Sequence, residues 1–178
     1  MNKTIILDTN VYGELLIEEK SEELVQKIKA DKSRRVYGVN IIEKELNETP
    51  SDIKYKGEKL RGLLIDLFET LSEEILNVTP LAKHLAGDYL KRYKKLSKTK
   101  KYDINKEKYS EKNIETDFEI LAVASLNSID MVVSSDRRTM LSKLSKDVCK
   151  YINDQNGLRT PKLLDYKDFK EDLTKWIF

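Results

Sequence analysis

Several kinds of site cannot be built from what this chain holds. Its 178 residues include one cysteine and one histidine. Cys149 falls inside a helical pattern running from Met140 to Tyr151 and reads as a small apolar filler rather than a nucleophile or ligand. His84 has no companion His, Cys or acid pattern, and no role is assigned to it. Nothing points to an oxidising compartment. Only Lys3 precedes the first short apolar run, which is too brief for a signal-peptide core, and no stretch approaches the roughly 20 apolar residues of a membrane span. The expectation is a cytoplasmic protein without membrane association. Internal repeats are absent, and the length suits one domain over residues 1–178 that can bury a core without disulfides.

Charge is plentiful, and its distribution is uneven. Residues 91–113 carry ten Lys or Arg against three acids, a local charge of +7 within a chain of net +2, which leaves −5 for the rest. An acidic body with one basic insertion suits a protein that holds cations in a carboxylate pocket and guides a polyanion towards it. A solvated lysine-rich loop explains the charge alone equally well.

The apolar run Ile5-Ile6-Leu7 is too compact for alternation and reads as a buried central strand that stops on Asp8, Thr9 and Asn10. In a parallel α/β sheet that strand end is where ligands gather. Capping of the next helix, which should begin near Asn10, by Asp8 or Thr9 is the plainer role. Helical spacing follows to Ile28, with Ser21 as a cap. Val36 to Val39 reads as a second strand, and Asn40 to Leu46 as a short helix. Residues 50–57 read as a polar connection, and Leu60 to Leu71 as a core-facing helix. A third strand over 75–80 leads into a helix capped by Thr79 with Pro80 at its first position. That helix is expected to dissolve after Leu90 into the basic segment. Thr116-Asp117-Phe118-Glu119 matches a capping box, placing Asp117 in a helix's first turn. Met131 to Ser134 reads as a fourth buried strand ending towards Asp136. Residues 161–164 suggest an edge strand, and Phe169, Leu173, Trp176 and Ile177 an amphipathic helix. Alternating strands and helices predict an α/β, three-layer α/β/α domain with a mostly parallel sheet.

Asp8, Glu45, Asp117 and Asp136 each have a structural excuse, as caps or helix-end charges. Together they form a pattern of strand-end Asp, helical Glu after the second strand, first-turn Asp and strand-end Asp. Carboxylates gathered at one pole of a sheet repel one another, and burial raises their pKa values, so such a cluster persists mainly when cations neutralise it. Oxygen donors without His or Cys select Mg2+ or Mn2+.

Four separated motifs resemble those of the PIN-domain nucleases. They are Ile6-Leu7-Asp8-Thr9-Asn10-Val11, Ile42-Glu43-Lys44-Glu45-Leu46, Asp117-Phe118-Glu119-Ile120-Leu121-Ala122-Val123-Ala124 and Val132-Val133-Ser134-Ser135-Asp136-Arg137, spread over residues 4–140. The resemblance implies a PIN-like fold with Asp8, Glu45, Asp117 and Asp136 as an acidic quartet, Asp8, Asp117 and Asp136 as metal ligands, and Asn10 and Ser134 as polar accessories. Glu43 stands as an alternative to Glu45, and Glu119 as an addition to Asp117. The implied activity is metal-dependent endoribonuclease hydrolysis, leaving a 5′-phosphate and a 3′-hydroxyl. A catalytically silent PIN-fold module for RNA or protein binding is the rival reading. Lys94, Lys95, Lys98, Lys100, Lys101 and Arg137 are expected to contact phosphates of single-stranded RNA, with Tyr93, Tyr102 and Tyr109 stacking on bases. Length and the basic insertion set the chain apart from small toxin-type members and argue against an antitoxin partner, while a homodimer stays open. Asp8→Asn is expected to raise metal-free stability slightly and abolish activity.

Overall fold

The computed structural model describes residues 2–99 and 111–174, and for 111–113 and 174 the backbone alone. In chain order the elements are β1 (Lys3–Leu7), α1 (Thr9–Ile17), α2 (Ser21–Ala30), β2 (Arg34–Val39), α3 (Asn40–Asn47), β3 (Lys54–Tyr55), β4 (Glu58–Lys59), α4 (Leu60–Leu71), β5 (Glu74–Leu76), α5 (Pro80–Leu96), α6 (Glu111–Leu126), β6 (Met131–Ser134), α7 (Lys143–Asn156), β7 (Lys162–Asp165) and α8 (Tyr166–Thr174). Five strands form one sheet in the order β5-β2-β1-β6-β7, and every pairing within it is parallel. The expected layered α/β/α architecture is therefore present. No helix of the described residues is long and apolar enough to cross a membrane.

Strand burial explains the compact apolar runs. Ile5, Ile6 and Leu7 are at most 1 % exposed, and Val132 and Val133 are fully buried, because β1 and β6 are inner strands covered on both faces. From β1 the chain winds outwards through β2 to β5, then crosses back by α5 and α6 to β6 on the other side of β1. The winding direction thus reverses between β1 and β6. At such a switch point the loops leaving the two strands part, and a crevice opens at their carboxyl ends.

Several local expectations need correction. The polar connection holds a short antiparallel hairpin, β3–β4, with Lys56 and Gly57 at positive φ. Lys20, not Ser21, is the residue before α2, and no side chain caps that helix. Thr79 does cap α5, accepting from the Ala82 N–H, with Pro80 at the start. That helix does not dissolve at Leu90 but continues to Leu96. The capping box is overturned as well: α6 begins at Glu111, so Thr116 and Asp117 lie in its second turn. Ile114 is buried, and its burial draws the helix a turn upstream of the local cap signal. Trp176 and Ile177 lie outside the described residues.

Candidate functional site

The β1 and β6 exits bring the first acid to the switch point. Asp8 is 4 % exposed and precedes α1 as its cap, its Oδ1 accepting the Thr9 N–H at 2.8 Å. The capping reading and the site reading therefore describe one carboxylate. Its Oδ2 accepts from Asn10 Nδ2 at 2.6 Å and from Ser134 Oγ at 2.7 Å. Ser134 is fully buried on the neighbouring strand, and its Oγ accepts the Asp136 N–H at 2.9 Å. Asn10 Oδ1 accepts the Ser135 N–H at 2.9 Å, which fastens the two exits together. Asn10 and Ser134 thus stand beside Asp8.

The remaining acids attach through threonine hydroxyls. Thr9 Oγ1 donates to Glu45 Oε2, bringing α3 to the site. Thr139 donates its N–H to Asp136 Oδ1 at 2.9 Å, and its Oγ1 lies 2.5 Å from Asp136 Oδ2 and also bonds Asp117 Oδ2. One hydrogen-bonded chain therefore runs from Glu45 through Thr9, Asp8, Ser134, Asp136 and Thr139 to Asp117. Neither threonine was expected at the site from the sequence, where Thr9 reads at most as a helix cap. Their signals were adjacency to Asp8, and a position three after Asp136 where Asp side chains accept backbone N–H groups.

Electrostatics show what the chain of bonds has to restrain. Burial, partly countered by bonds from Ser134, Thr9 and Asn10 and reinforced by Glu45, pushes Asp8 up to about 6. Burial followed by the charges of Asp8, Asp136 and Glu45 pushes Asp117 up to about 8, against the bond from Thr139. The four acids thus share one electrostatic environment. Among the described residues no three His, Cys, Asp or Glu side chains already stand as a ready metal-binding group. The donor chemistry nonetheless fits a hard cation, since all donors are oxygens and positive charge is what buried, mutually repelling carboxylates lack.

The alternatives separate by position. Glu45 reaches Thr9, whereas Glu43 lies in the first turn of α3. Glu119 lines a cavity of about 280 Å3 between α3 and α6 with Ile41, Lys44, Glu45 and Glu48. Arg137 is paired with Asp165 at 2.6 Å. Lys94 and Lys95 are exposed on the last turn of α5, and Lys98 is exposed just beyond it. Tyr93 is not available for stacking on bases: it is buried edge-on to Phe118, with ring centres 5.6 Å apart. Lys100, Lys101, Tyr102 and Tyr109 lie outside the described residues.

No family model matches the chain, and no curated protein matches it by sequence. Solved structures do resemble it. One is a chain of VapBC2 from Rickettsia felis, bound to a DNA fragment from its promoter, at 14 % identity and a TM-score of 0.51, covering 91 % of this chain and 98 % of that one. Another is a chain of FitAB bound to an IR36 DNA fragment, at 15 % identity and a TM-score of 0.52, covering 91 % and 94 %. With a parallel sheet in the order β5-β2-β1-β6-β7 between helical layers, the chain has a PIN-like three-layer α/β/α fold.

Proposed function

We propose that this protein is a divalent-metal-dependent endoribonuclease acting on single-stranded RNA in the cytoplasm. The observation that carries the reading is the hydrogen-bonded convergence of Asp8, Glu45, Asp117 and Asp136 on the crevice between β1 and β6. Asp8, Asp117 and Asp136 would hold Mg2+ or Mn2+. One or two such ions, when bound, lower the pKa of a water and stabilise charge on the phosphodiester oxygens. The chain's own residues do the rest. Asn10 and Ser134 both donate to Asp8 Oδ2 and so fix the orientation of that carboxylate at the crevice. Thr9 holds Glu45 through its hydroxyl, and that carboxylate would take a proton from an attacking water. No histidine is required for that step. Products with 5′-phosphate and 3′-hydroxyl ends are expected.

Lys94, Lys95 and Lys98 cluster at the end of α5, which packs beside the Asp117-bearing helix through Tyr93 and Phe118. Such cations contact phosphates without reading bases and make binding salt-sensitive. Arg137, neutralised by Asp165, is a weaker candidate. A protein partner enters the reading through the structural relatives, both of which are multi-component complexes on DNA. Because those matches reach 91 % of this chain, length is no ground for excluding one.

The decisive experiment incubates total RNA with the purified protein and Mg2+ or Mn2+, with end mapping of the products. Cleavage should disappear on chelation and in Asp136→Asn, while RNA binding persists in that variant. Cleavage that survives chelation, or yields 2′,3′-cyclic ends, refutes the reading; binding without cleavage under every metal condition selects the silent module.

A further inference from the structure

Asp117 and Asp136 are carried by unlike supports, one by a helix and the other by the loop leaving β6. Neither element by itself sets the distance between the two carboxylates. Thr139 joins them. Its hydroxyl bonds Asp117 Oδ2 on one side and lies 2.5 Å from Asp136 Oδ2 on the other. The residue is 3 % exposed, and its carbonyl accepts from Ser145 Oγ at 2.6 Å, so α7 anchors its backbone independently of its side chain.

We propose that Thr139 is a positioning residue of the cation site, its hydroxyl setting the spacing of the Asp117 and Asp136 carboxylates. The inference rests on the reading of the four acids as that site. A plain turn-forming role accounts for less of the geometry. The turn after β6 is closed by Asp136 Oδ1, which accepts the Arg138 and Thr139 N–H groups at 2.8 and 2.9 Å. Those bonds use backbone donors and survive loss of the hydroxyl. The bond to Asp117 spans 22 residues of sequence and contributes nothing to the turn. Residues that orient a metal's carboxylate ligands from behind act on affinity rather than on folding.

The test uses the full chain and Mn2+ alone, titrated calorimetrically into wild type, Thr139→Ser, Thr139→Val and Thr139→Ala, with metal-free melting measured for each. Serine keeps the hydroxyl, and valine keeps the shape without it. The expected result is a serine variant within about 3-fold of wild type and valine and alanine variants weakened roughly 10–100-fold, the range for removing outer partners of metal ligands. Their metal-free melting should stay near that of wild type. Valine binding as tight as wild type overturns the proposal, and so does serine binding as weak as valine. If neither valine nor alanine folds, Thr139 is a structural residue and the proposal fails. A wild-type chain that takes up no Mn2+ refutes the function proposed above, a result that needs no variant.

Discussion

The Thr139 hydroxyl has one hydrogen and two carboxylate neighbours, so it can donate to only one of them. The other is satisfied when Asp117, with its pKa near 8, keeps its proton and donates it. Asparagine supplies a permanent donor in that place. Asp117→Asn should therefore melt at or a few degrees above wild type at pH 8 without metal, while losing metal-dependent cleavage; calorimetry paired with an RNA assay checks both. The same gain is not expected at Asp8. There both oxygens accept hydrogen bonds, from Thr9, Asn10 and Ser134, and an amide would set donor against donor. Such a mismatch costs about 1–3 kcal/mol, enough to cancel the relief of burying a charge. The sequence-based expectation of a more stable Asp8→Asn is revised accordingly. A separate residue test lies at Gly38, where a methyl group would stand 2.6 Å from Phe68 Cζ and 2.8 Å from Ser72 Oγ. Both neighbours belong to the well-packed β2–α4 junction, so Gly38→Ala should destabilise by roughly 1–3 kcal/mol in denaturant unfolding, the usual cost of overpacking.

At the level of elements, α5 carries two jobs on opposite faces. Tyr89 and Tyr93 pack on Phe118, while Lys94 and Lys95 face solvent at the helix end. Removing the inner face should unfold, and removing the outer face should not. Tyr93→Ala is expected to cost roughly 3 kcal/mol or more of stability, as other buried aromatic truncations do. Replacing Lys94, Lys95 and Lys98 with Ser should leave melting unchanged and weaken RNA binding across sequences. The salt slope should then fall by about 0.7 for each phosphate no longer neutralised. An unchanged slope with intact cleavage removes these lysines from the binding surface. Helix limits were the least legible feature of this region. The Thr116–Glu119 pattern is a sound local cap signal, yet burial of Ile114 against the body outweighs it and starts α6 at Glu111.

For the whole molecule, two raised carboxylates set the sign of the pH response. Asp8 and Asp117 hold their protons more tightly folded, near 6 and 8, than at the ordinary 3.8 of the unfolded chain. Their stabilising share is complete below the unfolded value and is lost as pH rises through 6 and then 8. For Asp8 alone, two pH units correspond to about 3 kcal/mol. Asp31, Asp130 and Asp165 have lowered values, so their contributions vanish only in stronger acid. Metal-free protein should melt highest near pH 4, where the lowered acids are already ionised and the raised ones still hold their protons, and lose several degrees by pH 9, while saturating Mg2+ should flatten that fall. A melting profile rising from pH 5 to 9 without metal contradicts the cluster's electrostatics.

The sequence by itself determined the buried strands, their alternation with helices, and the candidate acids, because apolar runs, helical spacing and strand-end residues are local patterns written over a few positions. What only the tertiary structure decided is the assembly of those acids. Asp8 and Ser134 are 126 residues apart, and they meet only because the chain reverses its winding between β1 and β6. That Glu45 bonds Thr9 depends on which carboxylate the packed helix turns towards it. The threonine ties and the raised pKa values depend on burial by distant elements. Desolvation and hydrogen bonding between remote segments are properties of the folded volume, and no local pattern in the chain encodes them.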